Sequence, residues 1–188
     1  LDTLEQRVGV NVLMIGTISW LGLKAGRSIS HKLDGWPDHG VPAAIEMKGG
    51  AYFNPHPEYY THTAIKDFRA QDEVTRGFDV LEAVIPAAKA RGMKVMPELM
   101  EPLFKYAGHG SVNNVAIANM PQYLEVDLYG RYGQEPCTNN PEYRKWWQSL
   151  IEDQCRSYTI DGVMWCNERR SPLDQMIAGQ APGCFCEH

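Results

Sequence analysis

A helical stripe closed by a glycine and followed at once by a buried-type strand is the strongest constraint in this chain. In FDVLEAVIPAAKAR, residues 78–91, Phe78, Leu81, Val84, Ile85 and Ala88 recur at helical spacing. Gly92 suits the stop and KVMPELM, residues 94–100, follows as a strand. A helix joined to a strand by so short a turn is the second half of a βαβ unit. Pro86 is expected to kink that helix, because it removes one backbone donor. The pattern recurs downstream. Asn140-Pro141 marks a helix start, with Asn as cap and Pro at the first helical position. Tyr143, Trp146, Trp147, Leu150, Ile151 and Cys155 carry its stripe through Ser157, and Asp161-Gly162 introduces a strand of Val163, Met164, Trp165 and Cys166. Upstream, Leu1, Leu4 and Val8 fit the end of an amphipathic helix stopped by Gly9, and VNVLMIG, residues 10–16, reads as a buried strand. VPAAIEM, residues 41–47, is a weaker strand signal, interrupted by Pro42.

Alternating helices and buried-type strands mean an α/β fold with a parallel sheet. Up to four strands belong to the pattern. The segments 48–77 and 101–140 read as long loops; within the second, YLEVDLY, residues 123–129, alternates and predicts a short half-buried strand. In a parallel barrel the loops leaving the C-terminal strand ends build the active site. Those ends are chemically loaded here. Thr17, Ser19 and Trp20 follow the first strand, and Tyr52, Phe53, His56, Tyr59, Tyr60 and His62 follow the second. Glu98 and Glu101 mark the third end, and Asn167, Glu168 and Arg169 the fourth. The opposite turns, such as Arg91-Gly92-Met93, are short and plain.

The 188 residues carry a net charge of −5 and no basic stripe, which argues against a nucleic-acid partner. No apolar run approaches the ~20 residues of a membrane span, no signal peptide opens the chain, and the compartment stays open. Both chain ends look cut. The expectation is that residues 1–188 form the N-terminal half of a single TIM (β/α)8 catalytic barrel, truncated at the C-terminus. A whole barrel takes about 250 residues. Half of one leaves sheet edges and an apolar face unpaired, which invites a homo-oligomer. Five cysteines, an odd count in a domain of this size, do not suggest a disulfide framework. Cys155 and Cys166 read as buried small hydrophobes. Adjacent Trp146 and Trp147 read as core packing, and the histidines show no metal-ligand spacing.

A glycosidase needs one carboxyl group to protonate the leaving oxygen and another to attack or to activate water. Glu168, fixed near a strand end, is the candidate acid; paired with Arg169 or Arg170 it is instead a surface carboxylate. Trp165-Cys166-Asn167-Glu168 resembles the Asn-Glu signature of the large retaining glycosidase clan, and Cys184-Phe185-Cys186 narrows the likeness to glycoside hydrolase family 42, the β-galactosidases. More broadly the chain is similar to uncharacterised glycosidase-like barrels of bacteria. The resemblance implies a carbohydrate substrate, Glu168 as general acid/base, Asn167 holding the sugar 2-hydroxyl, and a nucleophile on a later strand outside this chain. It also implies a structural zinc held by Cys137, Cys184 and Cys186, with a fourth ligand beyond His188; His188 is an alternative. The stretch between Glu168 and Cys184 is longer than in that family, and Arg169-Arg170 stands where the family has Tyr-Gly or similar.

Further substrate-binding candidates are Glu98, Trp20, Tyr52, Tyr59, Tyr60 and Arg169. The tyrosines form a sugar-stacking platform in one reading and a self-packed loop in the other. No organic cofactor is indicated. The alternative function is a non-catalytic carbohydrate-binding or scaffold barrel. A zinc hydrolase working through the cysteines is disfavoured, because thiolate-rich sites are usually closed and structural.

Overall fold

A computed structural model describes residues 1–22, 47–66, 68–70, 77–100, 113–114, 121–166, 177 and 184–188. The backbone turns helical over Leu4–Val8 and stops at Gly9, whose φ of 74° is the left-handed geometry glycine adopts at no steric cost. Strand β1, Val12–Gly22, follows, then β2, Met47–Ala51, and a 3-10 turn at Pro57–Tyr60. Helix α1 spans Val80–Lys89 and strand β3 Lys94–Met100. A two-residue strand β4, Asn113–Asn114, precedes the hairpin of β5, Leu124–Val126, and β6, Tyr132–Pro136. Helix α2, Pro141–Ser157, leads to β7, Met164–Cys166.

The helices begin where their caps dictate. Asp79 accepts the backbone N–H groups of Leu81 and Glu82, and Asn140 accepts those of Glu142 and Tyr143. Phe78 therefore falls before α1 and stays 49% exposed. Pro86 costs α1 one hydrogen bond without ending it, since the helix runs on to Lys89.

The main sheet has the order β4-β2-β1-β3-β7. Strands β1, β3 and β7 are parallel neighbours in chain order, paired Val12↔Lys94 through Gly16↔Glu98, then Glu98↔Met164 through Met100↔Cys166. A helical segment precedes each of them. The fold is mixed α/β, and one expectation is corrected. The strand expected at 41–47 lies, Met47 apart, outside the described residues; the stretch expected as loop instead opens with a strand, Met47–Ala51, antiparallel to the outer half of β1, Ile18↔Ala51 through Gly22↔Met47. The cause is in β1. It bulges between Gly16 and Ile18 and continues to Gly22, beyond the reach of β3, so its outer half pairs with the returning chain.

One face of the sheet is the core. Val95 and Leu99 of β3, with Leu13 and Ile15 of β1, pack against Leu81, Ile85 and Ala88 of α1 and Tyr143, Trp146, Trp147 and Leu150 of α2. Trp146 and Trp147 are both buried, as core packing requires. Phe53, Tyr60, Ile65 and Phe68, from the segment after β2, belong to the same cluster. Each such fully buried side chain contributes roughly 1.5–3 kcal/mol. The other face carries Val12, Met14, Gly16, Lys94, Met96, Glu98 and Met164, and none of these is buried. Met14 is 59% exposed, so an apolar strand face lies open among the described residues. No described helix is long and apolar enough to cross a membrane.

Candidate metal centre and catalytic edge

The β5–β6 turn is built by Asp127, whose carboxylate accepts the N–H groups of Tyr129 and Arg131 while Gly130 takes φ 77°. The expected strand at 123–129 is thus the first arm of a hairpin. Cys137 leaves the second arm, its N–H donating to the Tyr123 carbonyl at 2.6 Å. The segment 184–188 docks on the first arm: Phe185 N–H donates to the Val126 carbonyl at 2.7 Å, and Val126 N–H points at Cys184 Sγ at 3.3 Å.

These contacts gather three cysteines far apart in sequence. The sulfurs of Cys137, Cys184 and Cys186 all lie within 4.8 Å of one another, with Cys137 and Cys186 at 3.4 Å. A tetrahedron with ~2.3 Å metal–sulfur bonds has sulfur–sulfur edges of about 3.8 Å, so the set fits a metal ion. The Val126 N–H donates to Cys184 Sγ at 3.3 Å, while the backbone N–H dipoles of Asn139 and Asn140 beside Cys137 and of His188 beside Cys186 favour the thiolate form there. The His188 N–H holds the Cys186 thiol below its ordinary value, while burial, and then the neighbouring Cys186, push Cys137 up to about 12. A dication removes that conflict, because a coordinating thiol is deprotonated outright. The three cysteines can therefore hold a metal, as the sequence led us to expect. His188 is not among the ligand atoms that converge there.

Glu98 sits on the open face of the sheet, in register with Gly16 on one side and Met164 on the other. It is half-buried and close to the C-terminal end of β3, two residues before Met100. Trp20 lies in the outer half of β1 opposite Gly49, and its side chain is outside the described residues. Asn167, Glu168 and Arg169 also lie outside them.

The aromatic segment after β2 differs from a stacking platform. Tyr52, Phe53 and Tyr60 are 6%, 0% and 3% exposed, so their rings are core rather than surface; Tyr59 alone of the four is half-exposed. Tyr60 is anchored there by a buried carboxylate that sequence reasoning missed. Asp153 of α2, fully buried, accepts the Tyr60 hydroxyl at 3.0 Å, His56 N–H at 2.9 Å and the Ser157 hydroxyl at 2.8 Å, and pairs with His56 Nδ1 at 2.8 Å. Burial, then the Asp153 charge, holds the Tyr60 phenol far above its usual range. His62 adds a 3.1 Å contact to Ser149 of the same helix. The available signal was a charge on an apolar stripe: Asp153 falls at helical spacing from Trp146 and Leu150. Cys155, expected inside, is exposed instead.

Compared with models of known protein families, with curated proteins and with solved structures, the chain finds no match.

Proposed function

We propose that this chain is the N-terminal part of a (β/α)8-barrel glycoside hydrolase in which Glu168 is the general acid/base and Asn167 holds the sugar 2-hydroxyl. One observation carries the reading: β1, β3 and β7 are consecutive parallel neighbours, each preceded by a helical segment, as barrel strands are. Asn167 and Glu168 follow directly in sequence on Cys166, the last residue of the third such strand among the described residues, where the sequence had led to a fourth. Glu98, on the open face near the same strand ends, is the matching substrate-binding carboxylate. The exposed side chains of Val12 and Met14 are what a barrel would turn inward.

In this reading Cys137, Cys184 and Cys186 hold a structural zinc that ties the hairpin to the segment after Glu168. The ion supplies cohesion and no chemistry. The test is hydrolysis of a panel of 4-nitrophenyl glycosides by the complete protein, with Glu168→Gln as control. Turnover of at least one glycoside that Glu168→Gln suppresses is expected. A complete, folded protein that cleaves none of them counts against the enzyme and favours a scaffold barrel.

A further inference from the structure

The β5–β6 hairpin, the start of α2 and the segment 184–188 enclose an open cleft of about 630 Å³. Its walls carry two rings that the fold leaves in solvent, Tyr132 and Phe185, 62% and 61% exposed. Glu142 and Glu187 line the same cleft beside His188, and among the described residues no lysine or arginine does. Glu142 is held in place from below, where its Oε2 accepts the hydroxyl of buried Tyr123 at 2.6 Å. Its Oε1 has no hydrogen-bond partner among the described residues. Arg131, next to Tyr132, is committed elsewhere: it lies 5.0 Å over the Tyr129 ring and pairs with Asp127 at 2.7 Å. Cations are drawn to aromatic faces and to carboxylates alike. A guanidinium satisfies both, since it stacks flat on a ring and forks onto a carboxylate, which an ammonium does not. A cleft of about 630 Å³ has room for the guanidinium together with the neighbouring residues of a chain that carries it.

From this geometry we propose that the cleft docks an arginine-bearing peptide segment of a protein partner. Phe185 and Tyr132 provide the stacking faces and Glu142 the charge partner. This is independent of the glycosidase reading.

The probe is a fluorescent peptide of alternating arginine and glycine, titrated into the zinc-loaded full chain and followed by anisotropy. Its citrulline counterpart, a neutral isostere, and a neutral tetrasaccharide are the comparison ligands. The arginine peptide should bind saturably and the citrulline peptide at least about tenfold more weakly, the scale of one cation–π or ion-pair contact. Phe185→Ala and Glu142→Gln should each weaken binding about tenfold, while Tyr129→Ala, outside the cleft, should not. Amide shifts of Tyr132, Glu142 and Phe185 in the unsubstituted protein give a readout that no variant's folding can spoil, and they should move on titration. Equal binding of the two peptides, no binding of the arginine peptide, or shifts confined to other residues would overturn the proposal. Binding of the tetrasaccharide that depends on Phe185 would overturn it too, in favour of a sugar site.

Discussion

Cys137 Sγ lies 3.4 Å from Cys186 Sγ, although 49 residues separate them in the chain. Backbone pairing brings them together: Cys137 N–H to Tyr123, and Phe185 N–H to Val126, stitch both segments to one hairpin. The cluster is thus a product of the backbone pairing on this hairpin. We predict about one zinc per chain, with tetrahedral coordination. Cys137→Ser, Cys184→Ser and Cys186→Ser should each lower the metal content and the melting temperature, and a chelator should mimic them, because metal binding couples to folding. Elemental analysis beside thermal melts checks this. Metal-free protein that melts where loaded protein does would contradict a structural role.

Asp153 should be the costliest polar position in the described fold. Its carboxylate gathers four groups, and removing it strands the buried Tyr60 hydroxyl. At about 1–3 kcal/mol for each buried group left unpaired, Asp153→Ala should lose about 3 kcal/mol. His56, whose side chain is 39% exposed, is one donor among several, so His56→Ala should lose about 1 kcal/mol. Urea titration of both variants and their double mutant would show strong coupling. Additive effects would mean the two residues do not act as one latch.

Gly50, in β2, is where the run Phe68–Ala70 approaches that strand closely. A Cβ there would lie 2.6 Å from the Ala70 backbone nitrogen and 2.9 Å from the Phe68 carbonyl oxygen. Both clashes are with backbone, which cannot rotate away, and the same segment bonds Ala51 N–H to the Phe68 carbonyl at 2.7 Å. Gly50→Ala should therefore cost about 1–3 kcal/mol, as overpacking does. Gly16→Ala, with nothing within 4 Å of its Cβ, is the control and should cost far less.

What could be read in the sequence follows from how each signal works. Helices α1 and α2 and strand β3 rest on periodicity and caps, and those are local: Asp79 and Asn140 sit where the turns begin. The return of β2 was not legible, because KGGA alternates nothing and its pairing depends on how far β1 extends past its bulge. Strand β6, with Gly and Pro among five residues, has a poor strand composition and exists because the Asp127 turn folds it onto β5. Tyr52, Phe53 and Tyr60 left a sugar platform and a self-packed loop both open, because composition does not say whether a ring faces water or the core. The cysteine cluster was found through a motif and a resemblance, since distance along the chain says nothing of 3.4 Å. Glu168 was read the same way.

Alkaline stability should report on Tyr123. Burial, then its hydrogen bond to Glu142, push its phenol from 10.0 to about 12. A raised folded value favours the protonated form, so the stabilisation is complete below the unfolded value and is lost as pH rises from about 10 through about 12. Unfolding free energy should fall by about 2 kcal/mol over that window, and Tyr123→Phe should flatten the decline. Denaturant midpoints at several alkaline pH values check it. An identical slope in Tyr123→Phe would show that the hydroxyl is not the titrating group.

The catalytic proposal stands or falls on Glu168→Gln in the complete protein. The variant should keep its melting temperature and lose about 10²–10⁴-fold in turnover of glycosides with poor leaving groups, the range of general acid–base assistance. Activated aryl glycosides need little protonation, so they should lose less, and added azide should partly restore their turnover. The decisive measurement is the ratio of kcat between poor and activated leaving groups in Glu168→Gln, with and without azide. The account predicts a ratio well below that of the unsubstituted enzyme and azide rescue confined to the activated substrates. An unchanged ratio without rescue would contradict it and make Glu168 a surface carboxylate.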